Sequence, residues 1–102
     1  MKHTVDYFIT KFESIPEELW NTDGNYVNEF SPECKCALGH CGLDGTSEAK
    51  SLISLFCLLN GADRSIPDVN DGVMRISYKQ PTAKQRILAA LKDIKEIQNE
   101  TV

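Results

Sequence analysis

The chain has 102 residues, 41% of them hydrophobic and 25% charged, and a formal net charge of −4. That length suits one domain with a radius of gyration of about 13 Å, able to bury roughly 60–65% of its unfolded surface in one core without disulfides or metal. The composition excludes a disordered chain, and no stretch reaches the ~20 apolar residues of a membrane span.

Thr4 to Ser14 reads as an amphipathic helix, with Val5, Phe8, Ile9 and Phe12 on one face and Thr4 as cap. Pro16 ends it by restricting Ile15, and Pro16 to Trp20 forms a short second turn of helix. A turn at Asn21 to Gly24 follows, then a short strand over Tyr26 to Phe30, broken at Ser31-Pro32. Thr46 or Ser47 opens a helix to Leu59 that is apolar almost all round, the pattern of a buried central helix. Asn60-Gly61 stops it. Asp63 to Gly72 reads as a loop holding Pro67 and ending in an Asn-Asp-Gly turn. Met74, Ile76 and Tyr78 alternate with polar residues as a short extended edge. Thr82 to Gln85 is a capping box for a last helix to about Asn99, burying Ile87, Ala90, Leu91, Ile94 and Ile97. The expected fold is mainly α, a compact single domain with three principal helices and at most a small β-hairpin.

Two segments concentrate chemistry. Cys34 to Gly42 holds three of the four cysteines and one of the two histidines. Its counterpart is the turn Asn70-Asp71-Gly72. A catalytic reading makes Cys36 a nucleophile at a helix start, where its thiol pKa would fall, with His40 four residues on as base and Asn70 or Asp71 orienting the imidazole. A metal reading gives Cys34, Cys36, His40 and Cys41 to zinc, although structural zinc usually joins two separated ligand pairs. The plainest reading is structural: Cys36 packs as a small apolar residue while Asp71 caps the turn around it, latching the two segments.

Charge is uneven along the chain. Residues 1–48 carry nine acids against Lys2, Lys11 and Lys35, whereas residues 49–102 carry eight bases against six acids. A solvated helix face accounts for the bases between Val73 and Lys95, and the acidic whole argues against duplex nucleic acid. Lys79, Thr82, Lys84 and Arg86 surround the start of the last helix, where free amides attract anions, so a phosphate or nucleotide is a candidate ligand there. No apolar run follows Lys2, so no secretory signal is expected and the expected compartment is the cytoplasm, where thiols stay reduced.

Three blocks in order, Lys35-Cys36-Ala37-Leu38-Gly39-His40, Val69-Asn70-Asp71-Gly72, and Pro81-Thr82 leading into Gln85-Arg86-Ile87-Leu88-Ala89-Ala90-Leu91, resemble a family of small uncharacterised proteins of bacteria and their phages. The likeness spans the chain from the first helix to about Ile97. His40 stands where related sequences often carry an aliphatic residue. The resemblance implies a phage association and, with it, action on a host defence system in the host cytoplasm. The favoured expectation is a non-enzymatic binding protein without a cofactor, taking a host protein or a small anionic ligand. A Cys36-dependent enzyme and a small zinc domain are the alternatives.

Overall fold

The computed structural model describes residues 3–22, 33–42 and 45–100. The chain forms α1 (Val5–Glu13), a 3₁₀ turn over Glu17–Leu19, α2 (Ala37–His40), α3 (Ser47–Phe56), a second 3₁₀ turn over Gly61–Arg64, α4 (Ile66–Asp71) and α5 (Ala83–Glu100). The Cα radius of gyration is 12.7 Å. The mainly α architecture is as expected, with α1, α3 and α5 as its principal helices.

Local chemistry sets the helix starts. Thr4 Oγ1 accepts from Tyr7 N at 3.2 Å, Thr46 Oγ1 from Ala49 N at 3.0 Å and Thr82 Oγ1 from Gln85 N at 3.2 Å. Each bond satisfies an amide with no partner inside its own helix. α1 ends at a Ser14 cap just before Pro16.

Three expectations need correction. The segment read as a loop over 63–72 contains α4. Pro67 lies in the first turn of that helix, where its fixed φ suits helix and its missing N–H costs nothing. Met74 to Tyr78 forms no strand: Ile76 N donates to Val73 O at 3.1 Å in a turn, Ile76 is buried and Met74 is 96% exposed. The third correction concerns the centre of the molecule. α3 buries Ala49, Leu52, Leu55 and Phe56 but leaves Ile53 39% exposed and Leu58, just beyond it, 43% exposed. α5 is the central helix, packing against α1, α3 and α4 and burying Ile87, Ala90, Leu91 and Ile94. The strand expected over Tyr26 to Phe30 lies outside the described residues.

Phe8, Phe12, Leu52, Phe56, Val69, Ile76 and the inward face of α5 form one core. The Phe12 and Trp20 rings meet edge-on at 5.3 Å. Ion pairs Lys11–Glu48 and Lys95–Asp6 tie α1 to α3 and to α5. Among the described residues the one extended pairing is a parallel bridge between Trp20 and Lys35, made by Asn21 N to Lys35 O and Lys35 N to Leu19 O, both 3.0 Å.

Candidate functional site

Beyond the Lys35 bridge the chain passes through extended Cys36 into the single turn of α2. The amide that opens this turn, Ala37 N, donates to Asn70 Oδ1 at 3.1 Å. Asn70 Nδ2 donates to Asn21 O at 2.7 Å and to Asp71 Oδ1 at 3.0 Å. Asn70 is fully buried, so its amide joins three stretches of chain where water cannot substitute. The cysteine block and the Asn-Asp-Gly turn therefore do meet. Asn70, not Asp71, reaches across, and Asp71 steadies it from the side.

Burial pushes the Cys36 thiol up, against the pull of the Gly39 and Leu38 amides, and the Asp71 carboxylate raises it further. Cys41 is pushed up to about 12, by burial first and then by Glu48. Both sulfurs are held as thiols, the less nucleophilic form. Burial lowers the His40 pKa. The ring lies 5.2 Å from that of Trp20, and its Nε2 sits 2.9 Å from Leu19 O, so Nε2 carries the proton. No hydrogen bond among the described residues joins this imidazole to Cys36, Asn70 or Asp71. Cys34 donates to Glu18 O at 3.2 Å, and no three His, Cys, Asp or Glu side chains among the described residues gather in a way that would hold a metal ion. Cys34 and His40 thus bond to separate carbonyls, while Cys36 and Cys41 pack in the core of this small knot.

The four residues at the start of α5 take separate partners. Lys79 Nζ donates to Met74 O at 2.8 Å, and Lys84 Nζ to Glu13 O at 3.0 Å. Thr82 Oγ1 donates to the Glu17 carboxylate at 3.0 Å, which brings a negative charge to this helix end. Arg86 is buried: Nε donates to Val69 O at 3.0 Å, Nη2 to Asn70 O at 2.7 Å and Nη1 to Gln80 O at 2.8 Å. Its guanidinium caps the last carbonyls of α4, which ends at Gly72 with φ +70°. A β-carbon on Gly72 would lie 2.8 Å from Arg86 Cζ. Asn70 thus receives α2 through its side chain and α5 through its carbonyl.

A groove of about 700 Å³ lies elsewhere, between the Gly61–Arg64 turn, the 75–78 segment and the C-terminal half of α5. Leu59, Ala62, Tyr78 and Ile97 supply its apolar surface, and Asp63, Asp93, Glu96 and Glu100 its carboxylates. Ser77 N donates to Asp63 Oδ1 at 2.9 Å, and the Tyr78 hydroxyl to Asp93 Oδ2 at 2.8 Å, so two acids also fix the groove's walls. Arg75, the one cation among the lining residues, pairs with Asp68, which lies outside the groove. The sequence reading passed over this site. Its signal was the spacing of Asp93, Glu96 and Glu100 at i, i+3 and i+7, which puts three acids on one helix face. No family model matches this chain, and the searches of curated proteins and of solved structures give no match either.

Proposed function

We propose that this is a non-enzymatic binding protein and that the groove beside the C-terminal half of α5 is its recognition surface. The observation that carries the reading is the division of labour between the two regions. The thiols of Cys34, Cys36 and Cys41 and the His40 imidazole are buried or bonded away in the Cys36 knot, whereas the groove is lined by apolar surface and carboxylates with neither thiol nor histidine. A concave surface with apolar walls and a few fixed polar groups is the usual form of a binding site. The resemblance to small bacterial and phage proteins extends the proposal to a host-directed role, in which the protein occupies a host protein. A small anion held by Lys79, Thr82, Lys84 and Arg86 has less support, since Glu17 sits on Thr82 and Arg86 already serves three carbonyls.

Amide NMR of the uniformly labelled protein against a mixture of neutral fragments tests the groove. The expected result is saturable movement of the Gly61, Ala62, Ser77 and Ile97 signals, unchanged in a Cys36→Ala variant. Signals moving only around Cys36 and His40, or covalent capture of Cys36 by a fragment, would overturn the reading.

A further inference from the structure

The charges around the groove specify its occupant. Asp93, Glu96 and Glu100 run along one face of α5 for about 10 Å at the rise of a helix. Asp63 faces them from the 3₁₀ turn. Glu100 lies in the last turn, at the helix's negative end where the macrodipole disfavours acids, and Glu96 and Glu100 are like charges at i, i+4. Among the described residues neither Glu96 nor Glu100 has an ion-pair partner, and Arg75 is committed to Asp68. Local rules broken in this way, without a visible compensation in the fold, mark a site of function.

We infer that the groove takes a basic segment of a partner polypeptide. The inference rests on the groove being the recognition surface. Lysine or arginine stems lie over Leu59 and Ile97, and their charged heads reach Asp63, Glu96 and Glu100. A row of acids about 10 Å long matches three to four residues of extended chain and exceeds what a single cation needs. Two exposed apolar side chains neighbour lining residues in the chain: Leu58 and Met74, 43% and 96% exposed, adjoin Leu59 and Arg75. They offer a polypeptide further contact that a small amine would not use, and methionine adapts well to such contacts.

The test is amide NMR titration of the intact protein with three probes: hexalysine amide, spermidine and hexaglutamate. Hexalysine should move the Gly61, Ala62, Ser77, Glu96 and Ile97 signals saturably, about tenfold more tightly than spermidine. A Glu96→Gln/Glu100→Gln variant, altered only at exposed positions, should bind it about tenfold more weakly, as should the unaltered protein at about 0.5 M salt. Spermidine binding as tightly as hexalysine would overturn the polypeptide in favour of a small amine. Hexaglutamate or neutral fragments moving these signals while hexalysine does not would overturn the cationic class and leave the recognition surface standing. Signals unmoved by every probe would overturn both.

Discussion

Asn70 is the side chain whose loss the fold should tolerate least. Replacing it with alanine removes three hydrogen bonds at a fully buried position and strands the Ala37 amide. An unpaired buried group carries most of its desolvation penalty, so Asn70→Ala should lose about 2–4 kcal/mol in urea unfolding. Asn70→Asp turns a donor into an oxygen facing Asn21 O and the Asp71 carboxylate. It should be similarly costly at neutral pH and recover in part as the pH falls. The cysteines give a second test at this scale. Cys57 is exposed and Cys34 half-buried, whereas Cys36 and Cys41 are buried with raised pKa values. Timed alkylation near pH 8, read by mass, should label Cys57 first, Cys34 next, and Cys36 and Cys41 only on unfolding; rapid labelling of Cys36 in the folded protein would revive the nucleophile. His40 supplies a pH dependence. Burial holds its folded-state pKa below the ordinary 6.5, so the unfolded chain binds the proton more readily. Stability is then full above pH 6.5 and declines as the pH falls through that value toward the folded-state pKa. His40→Gln should flatten the slope of Tm below about pH 6.5. Glu48 acts lower. There, burial raises the pKa, but the Lys11 bond outweighs it and holds the group below 4.5, so its contribution fades only in the acid range.

At the scale of elements, what could be read in advance was what is written locally. The apolar period and threonine caps of α1, α3 and α5 lie within a few residues of one another, and the structure follows them closely. α4 was hidden because Pro67 serves equally as a breaker and as a first-turn residue, and only the burial of Ile66, Val69 and Asn70 decides between them. The meeting of the Cys36 block with the Asn-Asp-Gly turn was legible as a pairing of polar and glycine-rich segments. The choice of Asn70 was not, since Asn and Asp are interchangeable in turn chemistry. Arg86 was read as exposed because it falls in a basic run, yet α5 turns it onto the end of α4. Its rigid fork serves three carbonyls at once, and a lysine ammonium cannot span them. Arg86→Lys should therefore cost about 1.5–3 kcal/mol despite keeping the charge. Gly72→Ala should cost at least about 1 kcal/mol, from a left-handed backbone and from a β-carbon meeting a guanidinium that three bonds hold in place. The two should couple. In the Arg86→Lys background the collision is relieved, so the double variant should be more stable than the sum of the singles predicts, by about 0.5 kcal/mol or more.

The whole molecule is organised around a helix whose composition conceals its position. α5 carries more charge than α3, which made α3 the expected centre. An apolar pattern that runs almost all round a helix does not decide burial; what decides it is which other helices its apolar stripe meets. The stripe Ile87, Ala90, Leu91 and Ile94 is narrow, but the helices α1, α3 and α4 all close upon it, whereas α3 packs on α1, α5 and the Gly61–Arg64 turn through Ala49, Leu52, Leu55 and Phe56 and leaves Ile53 exposed. Paired truncations distinguish these arrangements. Ile94→Ala removes methyl groups from a site with no exposure and should cost about 2–4 kcal/mol. Ile53→Ala, at a position 39% exposed on α3, should cost about 1 kcal/mol or less. Chemical denaturation of the two variants at unchanged m-value is the measurement, and equal costs would return α3 to the centre. The same placement explains the groove: a central helix running past its neighbours leaves its final turns uncovered, so Glu96 and Glu100 face solvent beside Asp63. Truncation at Ile94 should therefore weaken the fold and the groove together, whereas Glu96→Gln/Glu100→Gln should change binding with Tm unchanged or slightly raised, as a like-charge pair at the helix's negative end is removed.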